Sequence, residues 1–412
     1  MLARINWGSA DLEMTETILA TDPPRTYRIS QITAALTLCR HSMPLAKLST
    51  QCKSRLMADF IIIGGGVAGT SAGAYLSQLG KVQLLEAETN LAYHASGRSA
   101  ALFEESYGKP STVALNAASR SYHVENKLLS PRGLMLAGSH DTAEAFENES
   151  IQMGLDLMSG AEAKAMVPIL NTDVIDRAGY HADAWDLDTD LLIQSYVKTI
   201  RAHGGTVTTK APVTAIEKTA NGWKVTTNSE TYEGAILVNA AGPWVDQIAR
   251  MAGIAPIGFT ALRRSMGRIP APGGHDVSSW PMIFGAGEAW YAKPDAGALI
   301  VSPAEEDPME PHDAFVDDMV LAEGMARYEA CVTEPVTRLL ASWAGFRTFS
   351  PDRTLVLGRE PSDESFIWCA GQGGYGMQSS PAAGQLLADL LNGKTPAIDA
   401  GAVAALSPKR FR

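Results

Sequence analysis

The chain has 412 residues, of which 46% are hydrophobic and 19% are charged, so it is not a disordered chain and can bury the cores of two or three domains. Its formal net charge of −11 at pH 7 argues against nucleic acid or an anionic membrane as a partner, because neither attracts an acidic surface. No apolar run reaches the roughly 18–20 residues of a membrane helix, and the four cysteines lack metal spacing, so we expect a soluble cytoplasmic protein with no integral membrane segment and no metal site.

Residues 1–57 precede the first recognisable motif and do not continue its pattern of strands, glycine turns and helices. They lack the positive and apolar regions of a secretory signal, and their acidic residues argue against a transit peptide. We expect a mostly disordered extension. Met57 then looks like a natural start, and we predict full activity for a chain that begins there.

The stretch Phe60–Glu86 has the pattern of a strand, a glycine turn, a helix and a second strand. Its glycines Gly64, Gly66 and Gly69 fit GxGxxG, which permits a tight turn, close approach of a pyrophosphate and close packing of the helix. The helix amino terminus would bind the phosphates, and Glu86 stands where an acidic side chain can bind ribose hydroxyls. The pattern predicts an adenine-dinucleotide site but does not separate NAD from FAD.

The elements that follow are mixed in type. A loop of small residues spans 89–108, and an Asn-Gly turn at 221–222 predicts a β-hairpin. Alternating segments between 256 and 303 indicate antiparallel sheet. Helices are predicted over residues 114–128, 141–156, 162–167, 191–203 and 313–330.

A second glycine turn lies near the end of the chain. The predicted strand Phe366–Ala370 leads into Gly371–Gln378, and apolar positions then indicate a final helix that ends at Asn392-Gly393. Two such turns on one sheet would lie at the two ends of one long cofactor.

Five motifs occur in order: FIIIGGGVAG with LLE, HASGRSAA, VNAAGPW, WAGFR and GQGGYGMQ. Together they resemble the DAO-type FAD-dependent oxidoreductases, and within them D-arginine dehydrogenase and related D-amino-acid dehydrogenases. The resemblance implies an α/β fold, in which a Rossmann-like FAD-binding domain of the glutathione-reductase type is interleaved with an antiparallel-sheet substrate domain. It assigns residues 58–130, 185–249 and 341–412 to the FAD-binding domain, and 131–184 and 250–340 to the substrate-binding domain.

The resemblance also implies an extended FAD that is bound without a covalent bond. Related sarcosine oxidases attach the flavin to a cysteine soon after the arginine motif, and residues 349–352 carry none. The adenosine half is expected near the first glycine turn and the flavin near the second. The expected FAD contacts are Gly64, Gly66, Ala68, Gly69, Glu86, Ala87, Ala95, Ser96, Gly97, Arg98, Ser99, Ala100, Leu102, Val213, Ala241, Gly242, Gly373, Gly374, Tyr375, Gly376, Met377 and Gln378.

The catalytic residues are carried over one position at a time. By this resemblance Arg264 and Arg347 clamp the substrate α-carboxylate, a task for which the guanidinium fork is suited. Without the family, a structural ion pair would be the ordinary role of each arginine, and a core aromatic the ordinary role of each tyrosine. The full catalytic set implied by the resemblance is Arg264, Tyr291, Arg347, Tyr107, Gly374 and Gln378.

Three departures from the arginine-specific relative concern the substrate pocket. Leu134 stands where that relative has a carboxylate, and Leu102 replaces a polar side chain, so the pocket is expected to favour medium apolar side chains. Glu104 replaces a small hydroxyl residue. If its carboxylate points inward, it could pair with a basic side chain.

The resemblance therefore implies a FAD-dependent D-amino-acid dehydrogenase that acts on a small-molecule substrate and passes electrons to an unknown acceptor. A hydride moves from Cα to flavin N5, and the imino acid hydrolyses to a 2-oxo acid and ammonia. Three alternatives stay open: a glycine- or sarcosine-type amine oxidase that uses oxygen, a flavoprotein subunit without turnover, and an NAD-dependent dehydrogenase.

Overall fold

The computed structural model describes residues 57–412, so the expected disordered extension lies, except for Met57, outside the described residues. The described strands are β1 Ala58–Ile63, β2 Val82–Leu85, β3 Leu102–Glu104, β4 Leu129–Pro131, β5 Leu134–Gly138, β6 Asp156–Ser159, β7 Arg177–His181, β8 Ala184–Leu187, β9 Thr206–Thr208, β10 Val213–Thr219, β11 Gly222–Thr227, β12 Thr231–Asn239, β13 Thr260–Pro270, β14 Met282–Gly285, β15 Tyr291–Asp295, β16 Ala298–Ser302, β17 Asp307–Met309, β18 Ala341–Phe349, β19 Val356–Glu360 and β20 Asp363–Ala370. The described helices are α1 Val67–Leu76, α2 Pro110–Glu125, α3 Ala143–Met153, α4 Gly160–Met166, α5 Thr189–Ala202, α6 Val245–Met251, α7 Asp318–Ala330, α8 Gly376–Leu391 and α9 Ala400–Leu406.

The apolar run of β1 lies inside an eight-stranded sheet, where it pairs in parallel with β2 and β12. One face of this sheet packs on α1, α5 and α8, with Leu76, Tyr196 and Leu387 in the contact. The other face is covered by a second cluster that includes Trp223 and Trp368. Burial on both faces explains why β1 is apolar at nearly every position, and it confirms the predicted α/β class.

A nine-stranded sheet carries most of the remaining strands, in the order β17-β13-β16-β15-β14-β5-β7-β6, with β18 paired to β13. Its neighbours run antiparallel except for β14 and β5, which are parallel. Ala296 and Gly297 join β15 to β16 with positive φ values of 45° and 75°, as a two-residue hairpin turn requires. A third sheet contains only β3, β8 and β4.

One predicted domain boundary needs correction. The segment 341–412 was assigned to the FAD-binding domain, but β18 pairs with β13 from Phe349 opposite Thr260 to Ala341 opposite Arg268. It therefore belongs to the nine-stranded sheet. The WAGFR motif lies on β18, and its place is decided by strand pairing, which is not local in sequence. The other boundaries stay predictions.

The ends of the predicted helices differ from the structure by up to five residues, most at α2 and α7, and two helices were missed. Helix α2 begins at Pro110 because proline at the first helical position needs no N–H partner. Helix α7 begins only at Asp318, since the side chain of Asp317 accepts hydrogen bonds from Met319 and Val320 and caps it. Helices α6 and α9 were not predicted. The hairpin of β10 and β11 is confirmed, with Thr219 opposite Gly222.

Helix α8 is interrupted by Pro381, and two buried side chains of α2 bind the backbone near the interruption. The N–H of Ala382 donates to Ser119 Oγ at 3.1 Å. The carbonyl of Gln378 accepts a hydrogen bond from His123 Nε2 at 2.8 Å. Burial lowers the pKa of His123, so its neutral ring donates this bond. Both contacts fix the first turn of α8.

The chain end is held by Glu360, a fully buried carboxylate at the end of β19. Its oxygens accept hydrogen bonds from Trp368 Nε1 at 2.9 Å and from Arg412 Nε at 3.0 Å. Burial by itself would raise the pKa of Glu360, but the hydrogen bonds from Arg412, Trp368 and Ser362 outweigh it and lower the pKa to about 2.

We predict that Arg412→Met lowers the free energy of unfolding at pH 7 by about 1.5–3 kcal/mol, because it leaves a buried carboxylate without its cation. The folded pKa of Glu360 lies below its ordinary value of 4.5, so this stabilisation is complete above that pH and is lost as pH falls toward 2. Urea unfolding at pH 7 and pH 3 measures both effects. Lys409→Met, on an exposed side chain nearby, is the control. A deficit in Arg412→Met of equal size at the two pH values would contradict the assignment.

Candidate active site

A cavity of about 270 Å³ lies between the amino-terminal ends of α1 and α8 and the strands β13, β15 and β18. Every residue of the predicted catalytic set lines it, although the six positions are spread over more than half of the chain. The predicted pocket residues line it too. The members are Tyr107, Arg264, Tyr291, Arg347, Gly374 and Gln378, together with Leu102, Glu104 and Leu134.

The expected FAD contacts divide into two groups. Those that line the cavity are Gly66, Ala68, Ala95, Ser96, Arg98, Ser99, Ala100, Leu102, Gly242, Gly373, Gly374, Gly376, Met377 and Gln378. Those that do not line it are Gly64, Gly69, Glu86, Ala87, Gly97, Val213, Ala241 and Tyr375. Most of the second group lie in or near the first glycine turn, at the expected adenosine end. The role of each residue toward FAD stays a prediction.

The first glycine turn has room for backbone only. Gly64 has a φ of +111°, and a Cβ there would overlap the Ala240 carbonyl group. A Cβ at Gly69 would overlap the Gly64 carbonyl oxygen, so α1 packs directly on the turn. The N–H of Val67, at the start of α1, donates to Ser96 Oγ at 2.9 Å. The 3₁₀ helix Ala95–Arg98 is thereby held over the amino terminus of α1.

Glu86 lies at the end of β2 with both carboxylate oxygens in hydrogen bonds. One accepts from the Gly65 N–H at 2.6 Å and the other from the Glu88 N–H at 2.8 Å. The carboxylate is therefore fixed beside the glycine turn, in the position that the dinucleotide motif predicts.

Two guanidinium groups face the same cavity. Arg264 contacts Glu306 Oε1 at 3.2 Å, and burial and the charge of Arg347 lower the pKa of Arg264. Arg347 has no hydrogen bond or ion pair with any residue in the described part of the chain. Burial alone would lower the pKa of Arg347, but Tyr107, Tyr291 and nearby carboxylates raise it, so the group stays charged. Two neighbouring cations with one carboxylate contact between them form a site for an anion.

The adjacent Arg263 has a different role. It lies on the opposite face of β13 and contacts Asp307 Oδ2 at 2.7 Å, and it does not line the cavity. Side chains alternate between the faces of a strand, so only one of two consecutive arginines can point to the cavity.

Further unpaired polar atoms converge on the cavity. The hydroxyl of Tyr291 and the Nε2 of Gln378 are buried, and neither has a hydrogen-bond partner among residues 57–412. Gln378 is oriented by its other amide atom, because Oε1 accepts from the Glu104 N–H at 3.0 Å. Buried polar groups are normally paired, so these atoms indicate a polar ligand.

The rest of the wall is largely apolar, and one of its carboxylates, that of Glu104, contacts a residue that does not line the cavity. Leu102, Leu134, Met282 and Phe284 supply carbon surface. Glu104 Oε2 lies 2.8 Å from Nε2 of His181, a residue that the sequence predictions did not use.

Four other residues of this region were missed. Glu149, Gln152 and Glu288 line the cavity from α3 and from the β14–β15 turn. Lys293 lies behind the wall, where its ammonium donates to the carbonyls of Ala100 and Ala101 and lies 2.8 Å from Asp186. Strand alternation could have placed Lys293 on the face of Tyr291, two residues earlier. No local signal pointed to the other three.

The described residues contain no group of three or more histidines, cysteines or acidic residues that could hold a metal ion. Within the same residues, every helix is too short or too polar to cross a membrane.

Comparison with known proteins gives consistent matches. A family model described as FAD dependent oxidoreductase (DAO) matches residues 59–390. FAD-dependent oxidoreductase domain-containing protein 1 of Xenopus laevis is 24% identical over 403 residues, with 81% of this chain and 79% of that protein covered. N-methyl-L-tryptophan oxidase of Salmonella agona is 24% identical over 367 residues, with 83% and 96% covered. The solved structure of glycine oxidase from Geobacillus kaustophilus superimposes with a TM-score of 0.71 at 21% identity, covering 85% of this chain and 99% of that one.

The family match identifies FAD as the cofactor, and the cavity fits it. A glycine turn that excludes side chains meets the amino terminus of α1, which offers backbone N–H groups to a pyrophosphate. The amino terminus of α8, with Gly376 and Met377, meets the other part of the cavity, where its partial positive charge would stabilise a reduced flavin. The resemblance to D-arginine dehydrogenase in particular stays a prediction.

We predict that acid precipitation of the purified protein releases all of its FAD into the supernatant. The two described cysteines, Cys331 and Cys369, are free thiols, and neither lines the cavity. Burial raises the pKa of Cys369 to about 12, so its thiol is unreactive. Flavin fluorescence that stays with the protein band on a denaturing gel would contradict a non-covalent cofactor.

Proposed function

Because the chain belongs to the DAO family of FAD-dependent oxidoreductases, we propose that it is a dehydrogenase that oxidises the Cα–N bond of D-amino acids with apolar side chains. The observation that carries the proposal is the pair Arg264 and Arg347, whose positive charges meet in one cavity and leave room for a carboxylate. The proposed location of the enzyme is a reducing cytoplasm. Its proposed substrate is a small molecule, and its electron acceptor is still to be identified.

The two arginines bind the substrate α-carboxylate and fix one end of the molecule. Tyr107, Tyr291, Gln378 and the carbonyl of Gly374 then hold the neutral amine, so that the Cα–H bond points to the flavin end of the cavity. FAD, when bound, supplies the hydride acceptor at N5. Because the reacting atoms are held in one orientation, positioning provides most of the rate enhancement.

No side chain of the cavity is assigned as a general base. His94 contacts Glu88 at 3.0 Å, and His181 contacts Glu104 at 2.8 Å, so both histidines are already engaged. The amine loses its proton before or during binding, and Cα then loses a hydride. The imino acid leaves the cavity, and water converts it to a 2-oxo acid and ammonia.

The apolar side-chain preference rests on the wall around Leu102 and Leu134. Such a wall discriminates by roughly 1–3 kcal/mol per methylene, so the proposed specificity is broad. Medium apolar chains, as in D-leucine and D-methionine, match this surface best.

A second candidate is an oxidase of glycine, sarcosine or another secondary amine that reduces oxygen. The similarity to N-methyl-L-tryptophan oxidase and to glycine oxidase favours it. The arginine pair would bind the carboxylate of those substrates equally well. The two candidates therefore differ in the amine substituent, the configuration at Cα and the electron acceptor.

We predict that Arg347→Met lowers kcat/KM for the best D-amino acid by roughly 30- to 1,000-fold, which corresponds to about 2–4 kcal/mol for a buried charge pair. The FAD content should stay at the wild-type level, because this side chain contacts the substrate end of the cavity. Steady-state rates with an artificial acceptor and the flavin absorbance measure both quantities. Arg338→Met, on an exposed arginine shortly before β18, is the matched control. Unchanged efficiency in Arg347→Met would rule out the clamp.

We predict that D-Leu, D-Met and D-Phe reduce an artificial acceptor faster than D-Arg, D-Lys, sarcosine or N-methyl-L-tryptophan, and that oxygen consumption stays low with all of them. The apolar wall is the reason for the ranking. Dye reduction and oxygen uptake are measured in parallel on the same substrates. Preference for sarcosine with fast oxygen uptake would support the oxidase instead. Absence of flavin bleaching by every amine under anaerobic conditions would support a subunit without turnover.

A further inference from the structure

We propose that His181 sets the side-chain specificity of the pocket, because its imidazolium neutralises the carboxylate of Glu104 in the pocket wall. This inference rests on the proposed oxidation of amino acids. It names the class of substrate that the same pocket rejects, namely amino acids with a cationic side chain.

The carboxylate of Glu104 is part of the wall and is almost completely buried, with 4% of the residue exposed. Its Oε1 accepts hydrogen bonds from the backbone N–H of Ser106 at 3.0 Å and from Ser106 Oγ at 2.6 Å. Its Oε2 lies 2.8 Å from His181 Nε2. Oε1 is therefore hydrogen-bonded inside the protein, whereas Oε2 has an ion-pair contact with His181, the one of these partners that can carry a positive charge.

The position of His181 follows from the pairing of β5 and β7. His181 stands opposite Leu134 in this antiparallel pair. Leu134 and Glu104 both line the cavity, whereas His181 does not. An acidic side chain of the wall thus lies near an apolar one, and a histidine from outside the cavity lining contacts the carboxylate.

The charges around His181 favour its protonated form. The hydrogen bond to Glu104 raises the pKa of His181, burial opposes this, and Asp183 and Asp156 raise it further. Asp183 is itself paired with Arg120 at 2.8 Å, and Asp156 lies on the neighbouring strand β6. The groups that face the imidazole are therefore mostly acidic, which favours the imidazolium form of His181 beside Glu104.

Binding of a cationic substrate side chain next to this pair would be unfavourable. It would approach an imidazolium, and it would have to compete with that imidazolium for Oε2 of Glu104. An apolar side chain meets no unpaired charge at this pair. Without the positive charge of His181, the same carboxylate would become a partner for an ammonium or guanidinium group, which forms strong charge-assisted hydrogen bonds with it.

The test is His181→Gln, which keeps an N–H donor for Glu104 and removes the positive charge. We expect the ratio of kcat/KM for D-Arg over D-Leu to rise roughly tenfold or more, the effect of one hydrogen bond to a charged group. The double variant Glu104→Gln with His181→Gln should return the ratio to the wild-type value or below it. His140→Gln, on an exposed histidine, is the matched control. An unchanged ratio in His181→Gln would overturn the inference.

A binding measurement separates this inference from the proposed function. Hexanoate and 6-aminohexanoate are titrated into the holoenzyme, and the change in flavin absorbance reports each dissociation constant. A shift toward 6-aminohexanoate in His181→Gln supports the inference even if no D-amino acid is oxidised. If D-amino acids are oxidised but neither ratio shifts, the inference fails and the proposed function stands. If neither carboxylate binds the wild type, the arginine clamp and the inference both fail.

The wild-type enzyme provides a measurement that does not depend on the folding of a variant. The ratio for D-Arg over D-Leu should rise as the pH passes above the raised pKa of His181, since the guanidinium of D-Arg stays charged. The α-ammonium groups of the two substrates lose their protons at different pH values, because the guanidinium of D-Arg lowers the pKa of its α-ammonium group, so the ratio is compared below the pH at which either group deprotonates. A ratio that is flat or falls as the pH rises from the ordinary histidine pKa of 6.5 to that limit would contradict the role of His181.

Discussion

Two positive charges that share one buried cavity are the constraint around which this molecule is organised. Arg264 and Arg347 destabilise the folded state, because each guanidinium loses its hydration and each repels the other. Of these two arginines, Glu306 contacts Arg264 alone, and it is shared with the exposed Arg353 at 2.9 Å. The tyrosines Tyr107 and Tyr291 supply dipoles rather than a counter-charge. The fold therefore keeps a region of positive potential that suits an anionic ligand.

That cavity exists because two sheets of different kinds meet along it. The parallel sheet around β1 contributes glycine turns and helix amino termini, which offer N–H groups and no bulk. The antiparallel sheet contributes long side chains from β13, β15 and β18, whose alternation sends every second residue into the cavity. A flat cofactor suits the first surface, and a small polar substrate suits the second. Each surface by itself would be an incomplete site.

Several groups that line the cavity are held in position by polar side chains that do not line it themselves. His123 and Ser119 on α2 bind the backbone of α8 near Pro381, so the start of that helix, with Gln378, is held from behind. Lys293 does the same for Ala100 and Ala101, and Ala101 has an unfavourable φ of +46°. His181, which does not line the cavity, likewise contacts the carboxylate of Glu104 in its wall. In each case a buried polar atom is paired, and the pairing fixes what the cavity presents.

The features that depend on neighbours in sequence could be predicted from the sequence. The glycine turn with its flanking strand and helix, the β10–β11 hairpin and the second turn before α8 all follow from short-range sterics and periodicity. The family resemblance added Arg264 and Arg347, which no local pattern singles out. The sequence left open which strands and side chains pair when they are far apart along the chain. The membership of β18 in the nine-stranded sheet, the choice of Arg264 over Arg263, the masking of Glu104 by His181 and the place of Lys293 were decided only by the tertiary structure. The physical reason is that ion pairs, hydrogen bonds and strand pairing form between residues that are close in space. The separation of two residues along the chain does not indicate whether they are close in space.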